Sequence, residues 1–302
     1  MYWNDLNTHL KRQYGCKVYK LALSSGCSCP NRDGTLGVRG CIFCDGAGAF
    51  AEAGDIPAQL AAARQRVAAK AGQGAKYIAY FQSFTNTYGD PAHLRKLFQA
   101  AIEPEDVAIL SIATRPDCLG PEISELLAEL NRVKPVWVEL GLQTIHPASV
   151  AYIRRGYDLP VFDAAVKRLK AIDVRVIVHQ ILGLPGETPE MMAQTSRYIG
   201  QAGVDGVKLH LLHVLQNTDL AAEWQAGRVQ TLELPEYIAA LELCLQNLPP
   251  EVVIHRLTGD GAKRDLLAPL WSGDKKRVLN AIRRAFEQDD LVQGSALSAA
   301  CE

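Results

Sequence analysis

The feature that most constrains this chain is a strict alternation of strand-like and helix-like runs along most of its length. Residues 18–23, 76–81, 107–113, 136–142, 174–182, 207–214 and 252–257 are rich in Val, Ile, Leu and Tyr, as strands are. Between them, residues 58–71, 92–102, 121–131, 160–171, 189–202 and 235–247 carry helical patterns. Several of these open with proline, whose missing N–H costs nothing in a first helical turn. Such alternation dictates a parallel sheet with helices outside it. A doubly wound sheet and a barrel both satisfy the pattern, and in either one binding groups gather at the carboxyl ends of the strands. No repeat or linker divides the 302 residues, a length that α/β barrels reach as one domain. Residues 291–302 are small and polar and are expected to be a disordered tail.

Residues two apart on a strand share a face. Ser111 pairs with Arg115 in this way, Glu139 with Gln143, Ile177 with His179, and Lys208 with His210. The helix-covered face of a parallel sheet is apolar. Polar residues recurring on one face of successive strands therefore predict a lumen that holds a polar ligand. His210 and His213 are three apart, which an extended strand would put on opposite faces.

The 48% hydrophobic and 22% charged residues describe an ordinary globular chain. With 32 basic against 33 acidic residues, charge by itself does not argue for nucleic acid. No run approaches the roughly 18 apolar residues of a membrane span. The start, Met1-Tyr2-Trp3-Asn4-Asp5, lacks the regions of a signal peptide. A cytoplasmic location is expected, where thiols stay reduced. The eight cysteines then read as metal ligands, catalytic groups or buried fillers, with Cys118 and Cys244 in the last class.

The first strand runs into a loop with Cys27, Cys29, Cys41 and Cys44, whose last three thiols are spaced C-x11-C-x2-C. A C-x2-C pair turns two sulfurs toward one point, and the glycines let the loop bring in a third. Three thiolates at one corner suit zinc or iron–sulfur. Zinc would want a fourth ligand, which Cys27 is placed to supply. A [4Fe–4S] cluster held by three cysteines leaves one iron open, and the loop's position directly after the first strand favours that reading.

The run CPNRDGTLGVRGCIFC from Cys29 to Cys44 resembles the cluster loop of YhcC/YtqA-type radical S-adenosylmethionine (SAM) proteins, in the Elp3-like branch. The resemblance continues through Tyr80-Phe81-Gln82-Ser83-Phe84-Thr85-Asn86-Thr87-Tyr88, Thr114-Arg115-Pro116-Asp117 and Glu139-Leu140-Gly141-Leu142-Gln143-Thr144. It goes on through Arg154-Arg155-Gly156, the segment from His179 to Thr188, and Arg256-Leu257-Thr258-Gly259-Asp260. It implies an incomplete (β/α)6 barrel over residues 1–290 with a C-terminal helical extension. It also implies a [4Fe–4S] cluster on Cys29, Cys41 and Cys44, with Cys27 outside the ligand set. SAM would bind the open iron and, on one-electron reduction, yield a 5′-deoxyadenosyl radical that takes hydrogen from a substrate. By the same resemblance Phe43 lies by the adenine, Gln82 meets the SAM amino group, and Gln143 contacts the ribose. Arg155 pairs with the SAM carboxylate, Arg115 meets cofactor or substrate, and His179 stands where relatives carry a ribose-binding acid. An electron donor such as flavodoxin or ferredoxin is implied.

The family further points to transfer RNA, with wobble-uridine carboxymethylaminomethyl trimmed to aminomethyl. Basic residues for its phosphates would be Lys263, Arg264, Lys275, Lys276, Arg277, Arg283 and Arg284, flanking the open mouth. Alternatives are a radical SAM enzyme acting on a small molecule or peptide, and a non-enzymatic zinc protein.

Overall fold

The computed structural model describes residues 2–46, 54–259 and 263–298. In chain order its elements begin α1 (Leu6–Tyr14), β1 (Val18–Leu23), α2 (Ile56–Val67), β2 (Lys76–Phe81), α3 (Pro91–Ile102), β3 (Val107–Thr114) and α4 (Pro121–Val133). They continue β4 (Val136–Gln143), α5 (Pro147–Tyr152), α6 (Leu159–Lys170), β5 (Arg175–Leu182), α7 (Pro189–Gln201), β6 (Gly206–Leu211), β7 (Val214–Leu215) and α8 (Asp219–Gln225). The rest are α9 (Leu234–Gln246), β8 (Val253–Arg256), β9 (Leu266–Ala268), α10 (Lys275–Gln288) and α11 (Ser295–Ser298). Helix starts are set by local chemistry. Asp5, Asp55, Asp90, Thr188 and Asp274 each accept a backbone N–H of the first turn.

Seven strands form one sheet in the order β1-β2-β3-β4-β5-β6-β8, every pair parallel. The sheet curls into an open half-barrel, one strand more than the expected six. Two-residue alternation builds its two faces. Ala79, Phe81, Leu110, Ile112, Val138, Leu140, Val176, Val178, Val207 and Leu209 join the outer core beneath the helices. Ile78, Tyr80, Ile109, Trp137 and Ile177 face the lumen, which also holds the polar side chains of Ser111, Glu139 and Lys208. β1 and β8 are the outer strands, and α1 packs against both.

Two expectations need correction. The run 207–214 is not one strand: β6 stops at Leu211, and Val214–Leu215 pairs antiparallel with β9. The segment after α10 also departs from a disordered tail where it is described. Leu291 is buried, Gln293 donates to the carbonyls of Pro249 (2.7 Å) and Val252 (2.9 Å), and Ser295–Ser298 is helical. The tail's last four residues, including Cys301, lie outside the described residues, as does Asp260.

Candidate active site

β1 delivers the chain into the cysteine loop, which lies over the carboxyl ends of its neighbours. Ser25 donates to Asn86 (2.6 Å), and the Asn86 amide donates to the carbonyls of Phe81 (3.1 Å) and Ala113 (2.8 Å). One buried asparagine thus ties the loop to the ends of β2 and β3. Asn31 donates to the Arg154 carbonyl at 2.8 Å and reaches Cys41 Sγ at 3.6 Å. Ile42 N–H bonds to the Ile153 carbonyl, beyond the end of β4.

Arg32 sits inside the loop. It donates to the Cys44 carbonyl, and its charge reaches the thiols of Cys44, Cys29 and Cys41. Gly40 and Gly46, at φ +72° and +69°, lie flat against it: a Cβ on either would meet the guanidinium at 2.9 or 2.8 Å. Burial, then the neighbouring Cys44 thiol, push the Cys41 thiol up to about 11. Among the described residues, no three His, Cys, Asp or Glu side chains gather closely enough for a single metal ion. What the loop presents is three thiols sharing one cation, with Asn31 as donor to a sulfur. That donor set suits an iron–sulfur cluster, which binds thiolates and whose sulfurs take hydrogen bonds. Cys27 packs against the sheet's outer core instead. Cys244 is fully buried, as read from the sequence, while Cys118 is only half-buried.

Beside the loop lies a cavity of about 210 Å³ lined by Phe43, Gln82, Gln143, His179, His210, His213 and Arg256 among others. Four of the six sequence-derived cofactor residues thus converge on one space. The left-handed backbone of Gln143 (φ +68°) and the pairing irregularity beside it turn the end of β4 toward this space. The structure does not bring the two arginines there. Arg115 is held by Asp117 (2.7 and 2.9 Å) and by the Arg155 carbonyl (2.9 Å). Arg155 donates to the carbonyls of Leu142 (2.8 Å), Thr144 (2.7 Å) and Tyr157 (3.0 and 3.1 Å). Its fork is spent on the backbone that turns out of β4, so it is not presented to a SAM carboxylate. His213 also differs from expectation. Because β6 has ended at Leu211, alternation no longer applies, and His210 and His213 line the same cavity.

Under the cavity the lumen's polar face becomes one network. Glu139 accepts at Oε2 from Tyr80 (2.9 Å), His179 (2.8 Å) and the Lys208 ammonium, and at Oε1 from Ser111 (2.9 Å). Lys208 also donates to Tyr80 (2.7 Å) and lies over its ring. Burial raises the Glu139 carboxyl, but the Lys208 and Lys20 ammoniums outweigh it and hold it well below the usual range. A carboxylate only accepts, so His179 Nε2 carries the proton and Nδ1 is left as the ring's acceptor. Sequence reading found Ser111, Glu139, His179 and Lys208 by alternation. It missed Lys20, and it missed that Tyr80 joins the set; the period-2 rule applied to β2 would have found Tyr80.

Burial, then the Lys208 charge, push the His179 imidazole down to about 4. Burial shifts His210 and His255 the same way. Above pH 6.5 these rings are neutral in both folded and unfolded chains and add nothing to pH dependence. As pH falls below 6.5 the unfolded chain takes up protons that the fold refuses. The His179 contribution is therefore expected to be lost from about pH 6.5 down to about pH 4, about 3 kcal/mol in all. Urea unfolding across that range measures the slope, and His179→Asn should flatten part of it. An identical pH profile in that variant would refute the assignment.

A second cavity, about 830 Å³, runs along the seam between β1 and β8. Lys17, Lys20, Arg256, Lys275 and Arg283 line it with Tyr2, Trp3 and Tyr19. Of the basic residues expected beside the mouth, Lys275 and Arg283 stand here instead. Among the described residues no helix is long and apolar enough to cross a membrane.

Comparison with known proteins agrees with this geometry. The chain is 40% identical to the uncharacterized protein YtqA of Bacillus subtilis over 296 residues, covering 97% of this chain and 92% of that one. It is 28% identical over 154 residues to a tRNA uridine(34) acetyltransferase of Methanocaldococcus jannaschii, covering 50% of this chain and 28% of that enzyme. The solved archaeal Elp3 of Methanocaldococcus infernus superposes with a TM-score of 0.70 at 18% identity, covering 91% of this chain and 64% of that one. Residues 204–288 match the radical SAM C-terminal domain. Residues 32–199 match the radical SAM superfamily, whose members are enzymes that use a [4Fe–4S] cluster and SAM and need a reductant. The chain belongs to the radical SAM superfamily.

Proposed function

We propose that this radical SAM enzyme converts the carboxymethylaminomethyl group of wobble uridine in tRNA to aminomethyl. The observation that carries the reading is the convergence of Gln82, Gln143 and His179 on one cavity with Phe43 of the cysteine loop. The reduced cluster, when bound, supplies the electron that cleaves SAM to the hydrogen-abstracting radical. The chain's own residues orient and enclose. Phe43 stacks by the adenine, Gln82 meets the amino group, and Gln143 bonds the ribose. His179 Nδ1 accepts a ribose hydroxyl where relatives use an acid. The apolar walls at Ile181, Leu211, Leu212 and Leu215 exclude water from the reacting carbon. Partial similarity to a tRNA uridine(34) acetyltransferase supports a wobble base as target, and a splayed single-stranded base is the accessible form. Flavodoxin or ferredoxin supplies the electron.

The test gives the reduced, reconstituted enzyme SAM and tRNA bearing carboxymethylaminomethyluridine. Aminomethyluridine and 5′-deoxyadenosine are expected together. An untouched nucleoside beside normal SAM cleavage would transfer the reading to a small-molecule or peptide substrate.

A further inference from the structure

The cofactor cavity is small for what the reaction must hold. Its 210 Å³ falls below the range of about 300–1,000 Å³ that small-molecule sites occupy, so with SAM in place it has no room for a nucleoside as well. The seam cavity between β1 and β8 has about 830 Å³. Arg256 borders both, so the two spaces adjoin at the end of β8. Five cations border the seam against two carboxylates, Asp5 and Glu287, in a chain whose net charge is −1. Three of the five are engaged: Lys20 leans on Glu139 (4.0 Å), and Arg256 and Lys275 each have a partner within the chain. Asp5 is engaged too, as the cap of α1. The other two cations are exposed and pair with no carboxylate among the described residues: Lys17, just before β1, and Arg283, on α10. Lys17 lies 5.0 Å from the centre of the Tyr19 ring, and Tyr2 and Trp3 add two more half-buried rings along the same seam. His255 borders it as well, and its Nδ1 is buried with no hydrogen-bond partner among the described residues. A buried ring nitrogen ordinarily has one.

We propose that the seam between β1 and β8 holds single-stranded RNA, with backbone phosphates on Lys17 and Arg283 and bases against the tyrosine and tryptophan rings, so that the target base enters the cofactor cavity from the side, past Arg256. This rests on the proposed tRNA substrate and adds where it lies. Cations interleaved with aromatic rings are what a single strand requires: its phosphates take the charge, and each unstacked base has a face to lay on a ring. A duplex hides those faces. An edge of a seated base also gives His255 Nδ1 the partner that the chain does not. The cysteine loop already occupies the carboxyl ends of β2 and β3, so the unclosed side of the half-barrel is the wider approach.

The experiment measures binding, not turnover, on the full chain loaded with oxidised cluster and SAM. The probe is a fluorescein-labelled anticodon stem-loop RNA, followed by anisotropy as salt is raised. Lys17→Gln with Arg283→Gln should weaken binding at least about tenfold at low salt. It should also flatten the slope of log affinity against log salt by about 1.4, two phosphates at about 0.7 each. Lys276→Gln with Arg284→Gln removes two exposed charges of α10 that do not border the seam, and should move affinity by less than about threefold. Lys17→Arg with Arg283→Lys keeps both charges, should bind within about threefold of the wild type, and shows that the two positions tolerate change. A fully paired RNA duplex should bind at least about tenfold more weakly than the stem-loop. An unchanged salt slope in the Lys17→Gln, Arg283→Gln protein would overturn the seam, as would an equal loss in the Lys276→Gln, Arg284→Gln protein or equal affinity for the duplex. So would displacement of the RNA by polyglutamate at matched charge, since the seam would then suit an acidic peptide. If the wobble-uridine assay fails while the stem-loop still binds through Lys17 and Arg283, the reaction falls and the seam stands. Turnover by a Lys17→Gln, Arg283→Gln protein with wild-type RNA affinity would reverse that outcome.

Discussion

Replacing Cys29, Cys41 or Cys44 by alanine is expected to strip the protein of iron and sulfide and to end SAM cleavage. A methyl group cannot ligate iron, and three thiolates are the fewest that hold a four-iron cluster with one iron open. The surrounding loop should persist, because it is anchored by Ser25, Asn31, Arg32 and Asn86 and not by the sulfurs. Each variant should therefore stay folded while its cluster content, assayed as iron and sulfide after anaerobic reconstitution, falls to background. Cys27→Ala and Cys244→Ala should hold a full cluster, since one side chain packs on the sheet's core and the other lies within it. A Cys41→Ala protein that kept its iron, or a Cys27→Ala protein that lost it, would redraw the ligand set.

Glu139→Ala should be the most destabilising single substitution in the lumen. It would leave the Lys208 ammonium, 1% exposed, without the carboxylate that neutralises it. Breaking one side of a buried ion pair costs about 3–5 kcal/mol. Tyr80, Ser111 and His179 would each lose a partner at the same time. Replacing both ends, as in Glu139→Leu with Lys208→Met, should restore much of the loss, because no charge is then stranded. Urea unfolding of the two single variants and the double variant gives the coupling directly. A loss below about 1 kcal/mol in Glu139→Ala would show that water or a neighbouring group already compensates Lys208.

How far the sequence carried can be judged from particular residues. The sheet was legible because its outer face is a near-continuous Val/Ile/Leu surface, and the lumen because Ser111, Glu139, His179 and Lys208 break that composition at intervals of two. The half-barrel and the cofactor family followed from the cysteine loop and the motifs that the comparisons bear out. Arg155 was misjudged because its partners are main-chain carbonyls, and main-chain geometry leaves no mark in residue identity. The strand across 207–214 was overextended because Leu211, Leu212 and Val214 read as strand on either side of the turn. The helix α1 left only a faint pattern, with one buried side chain, Leu10, although Asp5 and Gly15 mark both its ends. The tail was misread because its polar side chains bond to backbone at a site more than 40 residues away in sequence.

The same tail has a consequence for how the molecule meets its neighbours. β8 is an outer strand, and an outer strand offers unpaired N–H and C=O groups to any passing chain. Here the offer is withdrawn by the protein's own start: Ile254 N–H bonds to the Asn4 carbonyl, and Asp5 bridges to Ile254. The start is in turn held by the far end of the described chain, through Gln293 to Asn4 and Tyr2 and through Phe286 to Trp3. Two stretches nearly 290 residues apart thus act as one selvedge on an otherwise ravelling hem. Loosening either stretch would expose the other and leave the β8 edge open to pairing with a passing chain.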